Sequence, residues 1–192
     1  MKRIFILFVC MASFAAASAQ VQFGGKAGLN LSTFAGDDAE GSDMKVGFHV
    51  GGLVKVPITE SFFFQPELVF SSQGAQTSDD DIDDIKMNLN YLNVPLLAKY
   101  QTGSGFFVET GPQIGFLLSA KAKAEGITVD MKDFMKKTDF SWTVGLGFQF
   151  PMNFGVNARY NHGLSNIWDE EDSKLNNSVF QVGVFYVIGG SR

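Results

Sequence analysis

The sequence predicts an all-β chain: an eight-stranded antiparallel, up-and-down transmembrane β-barrel. Three observations predict it. First, apolar and small or polar residues alternate through most of the chain. In Phe140–Phe150, Phe140, Trp142, Val144, Leu146, Phe148 and Phe150 share one face, opposite Ser141, Thr143, Gly145, Gly147 and Gln149, because strand side chains alternate with period two. Second, the connections between such runs alternate between short and long, as in outer-membrane barrels with short periplasmic turns and long outer loops. Third, the polar face is mostly Gly, Asn, Gln and Ser, residues that fit the cramped interior of a small barrel rather than a water-washed surface.

Met1-Lys2-Arg3, the apolar run Ile4–Phe14 and the small residues Ala17-Ser18-Ala19 read as a secretory signal peptide. Its apolar run is shorter than the roughly 20 residues a spanning helix needs. Residues 1–19 are therefore expected to be removed, leaving 20–192 as a single barrel domain. The only cysteine, Cys10, leaves with that segment, so the mature chain has no thiol or disulfide chemistry. The net charge of −5 comes with no basic stripe, which excludes nucleic acid as a partner.

Eight runs carry the alternation. Val21–Ser32 sets Phe23, Ala27, Leu29 and Leu31 against Lys26, Gly28 and Asn30. Met44–Val56 sets Val46, Phe48 and Val50 against Gly47, His49 and Lys55. In Phe62–Gln73, Phe64, Leu68 and Phe70 oppose Gln65, Glu67 and Ser71. Asn88–Gln101 and Gly105–Ser119 alternate less cleanly. Phe140–Phe150 follows, then Asn153–Gly163, with Val156, Ala158 and Tyr160 opposite Asn157, Arg159 and Asn161. Ser178–Ile188 closes the series, its Phe180, Val182, Val184 and Tyr186 opposite Gln181 and Gly183.

Pro57–Ser61, Thr102–Ser104 and Pro151–Met152 are the short connections; Thr33–Asp43, Gly74–Met87, Ala120–Thr138 and Leu164–Asn177 are the long ones. Asp130–Lys137 is expected to form one or two helical turns. Pro66, Pro95 and Pro112 fall inside runs that a closed sheet pairs on both sides. Proline has no ladder donor, so bulges or local distortion are expected in strands three to five.

A Lys or Arg facing lipid at the midplane costs about 2–4 kcal/mol. The strand charges must therefore point inward and pair. Lys26, His49, Lys55, Glu67, Asn93, Lys99, Glu109, Gln113 and Arg159 are expected to form a lumenal polar network that fills and stiffens the barrel. Phe62, Tyr100, Phe106, Phe140, Phe150, Phe154, Tyr160 and Tyr186 are expected at the membrane interfaces, where aromatic girdles form.

Gln65-Pro66-Glu67-Leu68-Val69-Phe70, Tyr91–Tyr100 with its Asn93-Val94-Pro95, Glu109-Thr110-Gly111-Pro112, Arg159–Ile167 and the closing Val179–Tyr186 resemble the outer-membrane β-barrel domain family that includes PorT-like proteins. Two departures from that pattern are visible. Asn93 stands where the family often has an acidic residue, which weakens a fixed charge pair with Lys99. The chain also continues through Gly189-Gly190-Ser191-Arg192 rather than ending on an aromatic. The resemblance implies location and architecture, with no shared reaction.

Asp79, Asp80, Asp81, Asp83 and Asp84 make a dense acidic run, and Asp169, Glu170, Glu171 and Asp172 a second; with Asp37, Asp38, Glu40 and Asp43, three of the four outer loops are acidic. Divalent-cation binding is one reading, since hard cations take carboxylate oxygens. However, Asp84 and Asn90 stand where an EF-hand loop needs glycine and glutamate. A solvated, self-repelling loop is the favoured reading, and no metal or cofactor is assigned. His162, Ser165 and Asp169 are close enough in sequence for an acyl-transfer triad, but serine and aspartate are common in loops, and no catalytic residue is assigned. The expectation is a non-enzymatic protein of the bacterial outer membrane with a structural or interaction role through its outer loops, as an accessory to secretion or surface assembly. Its partners are outer-membrane lipid and, as a candidate, another envelope protein. The alternatives are a narrow pore or small-solute binder, a rim enzyme acting on lipid and a soluble lipocalin-like ligand binder.

Overall fold

The computed structural model describes residues 21–35, 43–79, 82–124, 127–167 and 175–188. The expected leader, residues 1–19, lies outside them. Among the described residues there are nine strands: β1 (Gln22–Ala35), β2 (Asp43–Pro57), β3 (Phe62–Asp79), β4 (Ile82–Gln101), β5 (Phe106–Ala124), β6 (Ile127–Asp130), β7 (Thr138–Gln149), β8 (Phe154–Gly163) and β9 (Asn176–Ile188). Neighbours run β4-β3-β2-β1-β9-β8-β7-β5, and β4 also pairs with β5. Eight antiparallel strands thus close into a barrel, and β6 is a short addition to the upper part of β5. Closure suits a chain in lipid, where unpaired backbone groups have no water to turn to.

The alternation decides which face meets lipid. Phe23, Leu29, Phe48, Phe64, Leu68, Val144, Leu146, Val182 and Val184 are all exposed on the outside, whereas Lys26, Glu67, Lys99, Glu109 and Arg159 are buried inside. All eight expected girdle aromatics are exposed. Six of them adjoin the short turns, where Phe62 packs on Tyr100 at 4.9 Å and Phe150 stacks on Phe154 at 5.9 Å between ring centroids. Gly105 (φ +100°) and Asn153 (φ +62°) take the left-handed conformation that two of these tight turns require.

Of the two forms expected at the prolines, bulges or local distortion, the structure shows the second. Register is the same on both sides of Pro66, Pro95 and Pro112, so no bulge marks them. The ladder skips two positions at each: Val54 and Lys55 of β2 beside Pro66, Glu67 and Leu68 of β3 beside Pro95, and Leu96 and Leu97 of β4 beside Pro112. The missing donors are absorbed by a local gap, while pairing on both flanks holds register. The shifts that do occur lie near the outer end, between Met44 and His49, between Thr77 and Asp79, and between Asn90 and Tyr91.

Two expected long loops are also corrected. Gly74–Met87 is mostly strand, since β3 and β4 stay paired from Gly74↔Asn88 to Asp79↔Ile82. Ala120–Thr138 continues β5 to Ala124, turns back as β6, and contains one 3-10 turn, Lys132–Phe134. Above the bilayer these strands no longer need an apolar face, so alternation fades while hydrogen bonding continues.

The inner face is not wholly polar. Leu53, Phe107, Phe185 and Val187 form a buried apolar layer toward the short-turn end, with the two rings edge-to-face at 5.8 Å. Glycine makes the space. A Cβ at Gly155 would sit 2.2 Å from the Phe185 ring, and one at Gly147 2.4 Å from that of Phe107. We therefore expect Gly155→Ala to destabilise the barrel by about 1–3 kcal/mol through overpacking. Combining it with Phe185→Leu should recover part of that loss, giving a non-additive cycle. Urea titration of the barrel folded in lipid vesicles measures both, and strictly additive losses would contradict this interlocking.

Candidate functional site

Lumenal side chains stack in layers along the barrel axis. Nearest the short turns, Lys55 of β2 donates to Gln101 Oε1 (2.6 Å) and Gln149 Oε1 (2.9 Å), with its ammonium 4.1 Å from the Phe63 ring centroid. It lines an open polar vestibule with Gln22, Glu60, Gln101 and Asn153. The apolar layer of Phe107 and Phe185 comes next.

Above that layer lies a buried charge cluster. Arg159 of β8 donates from Nη1 and Nη2 to the two oxygens of Glu67, each at 2.7 Å, and from Nε to Glu109 Oε1. Lys26 donates to Glu67 Oε2 at 3.0 Å, and Gln65 donates to Glu67 Oε1 at 2.7 Å. Lys99 donates to Gln65 Oε1 at 3.2 Å and stands 3.9 Å from Glu109 Oε2. Arg159 and both glutamates are at most 4% exposed. A planar guanidinium suits this position, because its fixed fork engages one carboxylate with two donors and a second with the third. Three cations face two carboxylates here. The Lys99 ammonium lies 3.4 Å from the centroid of Phe107 and 4.9 Å from that of Phe185, so the ring faces of the apolar layer supply part of the negative potential.

A neutral layer follows toward the outside. His49 donates from Nδ1 to Asn30 Oδ1 at 2.8 Å, Gln181 donates to the same oxygen at 3.0 Å, and Asn30 donates to Ser71 Oγ at 3.0 Å. Thr143 donates to Asn161 at 2.7 Å, and Asn177 donates to Gln73. A Cβ at Gly28 would meet the His49 ring at 2.7 Å, so this histidine is fitted into a slot.

The nine residues singled out from sequence therefore divide. Lys26, Glu67, Lys99, Glu109 and Arg159 come together; His49 belongs to the neutral layer and Lys55 to the vestibule. Gln113 donates to Ser141 Oγ at 3.0 Å, away from the charges. Asn93 is buried beside Gly115 and does not pair with Lys99. Gln65, Asn30 and Gln181 were missed as network members although their inward parity marks them.

The outer mouth is covered. Met135, Ile167 and Leu175 from the connections pack with Leu89, Tyr91, Leu117 and Ala120 of β4 and β5. Lys136 N–H donates to the Ile167 carbonyl at 3.0 Å, joining the two covering segments. Ser165 Oγ donates to Asp139 Oδ1 at 2.6 Å and accepts from Phe140 N–H at 2.8 Å. Ser165 is thus a tether for the second segment, while His162 is exposed on the outer surface and stacks on Tyr160 at 6.1 Å. Asp169 and the run through Asp172 lie outside the described residues, as do Asp37, Asp38, Glu40, Asp80 and Asp81. Asp79, Asp83 and Asp84 fall in the β3–β4 hairpin. Among the described residues, no three His, Cys, Asp or Glu side chains converge as a metal site.

The cluster gives a stability test. Arg159→Ala leaves two buried carboxylates short of their main partner and should cost about 3–5 kcal/mol. Arg159→Lys should restore little of this, because a lysine cannot span both glutamates. Replacing all five charges together, with Lys26→Met, Lys99→Met, Arg159→Met, Glu67→Gln and Glu109→Gln, should regain most of it, because no buried charge is then left without its partner. Vesicle urea titrations would decide, and an Arg159→Ala barrel as stable as its parent would rule the cluster out as a structural centre.

Comparison with known proteins agrees with this architecture. The attachment invasion locus protein Ail of Yersinia pestis is 15% identical over 88% of this chain and 99% of its own, with a TM-score of 0.54. The same protein in complex with the heparin analogue sucrose octasulfate gives 16% identity at the same coverage and TM-score. Neisserial surface protein A is 14% identical over 85% of this chain and 96% of its own, with a TM-score of 0.52. These likenesses concern the fold. No curated protein sequence matches the chain. The family described as outer membrane protein β-barrel domain matches residues 13–169, and the chain belongs to that family of bacterial outer-membrane barrels.

Proposed function

We propose that this barrel is a non-conducting, non-enzymatic platform that holds its outer segments for interaction at the cell surface. The observation that carries this reading is the filled lumen. An apolar layer, a charge cluster, a neutral amide layer and the packed mouth succeed one another along the axis. Eight strands leave room for side chains and little else, and these side chains are hydrogen-bonded across the bore rather than lining it.

The covered mouth supports the same reading. Its inner side is apolar and packed, while Phe134 on the 3-10 turn is 61% exposed, so the covering segments are fixed from below and open to partners above. The relatives of like fold include a protein named for attachment and crystallised with a heparin analogue, which agrees with outer segments as the working surface. The PorT-like resemblance adds an accessory role in secretion or surface assembly, with another envelope protein as the partner.

Two measurements test this. Single-channel recording in planar bilayers should show no discrete openings, and reproducible conductance steps would favour the narrow-pore alternative. A photo-crosslinking residue at position 134 in intact cells should yield a protein adduct, whereas one at the lipid-facing Val156 should not. Absence of any adduct at position 134 would count against the platform reading.

A further inference from the structure

We propose that the cover of the outer mouth is a pH-sensitive lid, clasped in acid and opening more readily toward neutrality, with the Asp139 carboxylate of β7 as its titrating latch. Asp139 precedes Phe140, whose exposed ring marks the outer interface, so it stands at the mouth, beyond the hydrocarbon span. Its inward parity, shared with Ser141 and Thr143, leaves it 9% exposed. Across the ladder it pairs with Gly115 of β5. A Cβ at Gly115 would meet the Tyr91 ring at 3.3 Å and the Asp139 carbonyl at 3.6 Å. The bare backbone there seats Asp139 against the apolar cluster to which Tyr91 and Leu117 belong.

What this carboxylate lacks is a cation. Among the described residues the side chain that engages it is Ser165, whose Oγ donates to Oδ1 at 2.6 Å. The elements packed around it bring no counter-charge. β4 offers the neutral phenol of Tyr91, β5 offers Gln113, Gly115 and Leu117, and β8 offers Asn161 and Gly163 on its inward face. His162 points to the outer surface, and Asp133, Lys136 and Lys137 of the covering segment are exposed. Arg159 and its partners lie deeper, beyond the layer of Asn30, His49 and Gln181. Burial without a cation disfavours the ionised form. It pushes the Asp139 carboxyl up from the ordinary aspartate value to about 6, and the hydrogen bonds it accepts offset burial only in part.

Ser165 is itself part of the lid. The N–H groups of Leu164 and Ser165 donate to the Phe140 carbonyl at 2.8 and 3.3 Å, and the Ile167 carbonyl accepts from Lys136 N–H at 3.0 Å. Asp139 therefore lies at the root of both covering segments, following Met135 in one and bonded to Ser165 in the other. Ionised, it is a buried charge beside apolar side chains, and lifting the cover lets water reach it. Protonated, it is neutral and loses nothing by staying covered. Protonation thus stabilises the closed state. That stabilisation is complete below the pKa of an exposed aspartate and is lost as pH rises through about 6. The latch is a property of the cover itself and holds whether or not a partner docks there.

Hydrogen exchange of the full chain in lipid nanodiscs, read by mass spectrometry over a pH series from 5 to 7.5, tests the latch. After correction for intrinsic exchange, protection of the Lys136, Leu164 and Ile167 amides should fall about tenfold across the series. That is the ratio expected when a carboxyl with a pKa of about 6 under the cover returns to its ordinary value on opening. Amides of the β1–β9 ladder should not change. Asp139→Asn, an uncharged isostere, should keep the protection seen at pH 5 throughout. Ser165→Ala, which removes a donor to the ionised form, should move the midpoint to higher pH. His162→Gln, which removes a nearby group of similar titration range, should leave the profile as in the parent. A flat parent profile overturns the proposal whether or not any variant folds. So does pH dependence that survives Asp139→Asn or disappears with His162→Gln.

Discussion

Hydrocarbon offers neither a hydrogen bond nor a counter-charge, and this constraint organises the chain. Every strand must find backbone partners on both sides, so the sheet closes. Every charge within the span must turn inward, where an eight-stranded bore is too narrow to keep it in water. The charges then have to satisfy one another, and Arg159 is where that happens: its three nitrogens hold Glu67 and Glu109 together across the lumen, from β3 and β5 to β8. The two glutamates in turn hold Lys26 and Lys99. Contacts across the bore fix the distance between opposite walls, which ladder hydrogen bonds alone do not.

The layers depend on one another. Lys99 belongs to the charge cluster through Glu109 and Gln65, and to the apolar layer through the faces of Phe107 and Phe185. The rings are admitted by the bare backbones of Gly147 and Gly155. A glycine on β7 or β8 thereby bears on how well a buried cation is stabilised. Toward the outside, the neutral layer of Asn30, His49 and Gln181 separates the charges from the apolar mouth. This grading avoids placing an ion pair directly beneath a hydrophobic lid.

Within the membrane the sequence was readable, because lipid enforces period-two alternation and the penalty for a misplaced charge is large. The eight strands, the girdle rings at Phe62, Tyr100 and Phe154, and the inward set around Glu67 and Arg159 all follow from that rule. Outside the membrane it lapses. The upper parts of β3 and β4 pair through Gln76↔Lys86 and Thr77↔Ile85 without an apolar face to reveal them. The inward Phe107 and Phe185 escaped notice because their slots exist only once Gly147 and Gly155 are brought opposite them by register. The bond from Ser165 to Asp139 spans β7 and the segment after β8, a proximity that closure creates and local sequence cannot show. At the prolines the missing donor shows as local distortion of the ladder and not as a bulge. With paired neighbours on both flanks, dropping two pairs is evidently less disruptive than shifting the register of a closed ring.

The bulge at Leu118, where Asn90 pairs with Ser119 but Tyr91 with Leu117, shows how closely the two faces are linked. Continued at the parity of Glu109 and Gln113, Lys121 and Lys123 would point into the mouth, beneath Met135 and Ile167, where two further cations would meet an apolar lid. The extra residue sends them outward and brings Ala120 and Ala122 inward, small enough to lie under that lid. One inserted position therefore keeps the covering of the mouth apolar and turns Lys121 and Lys123 to the outer surface.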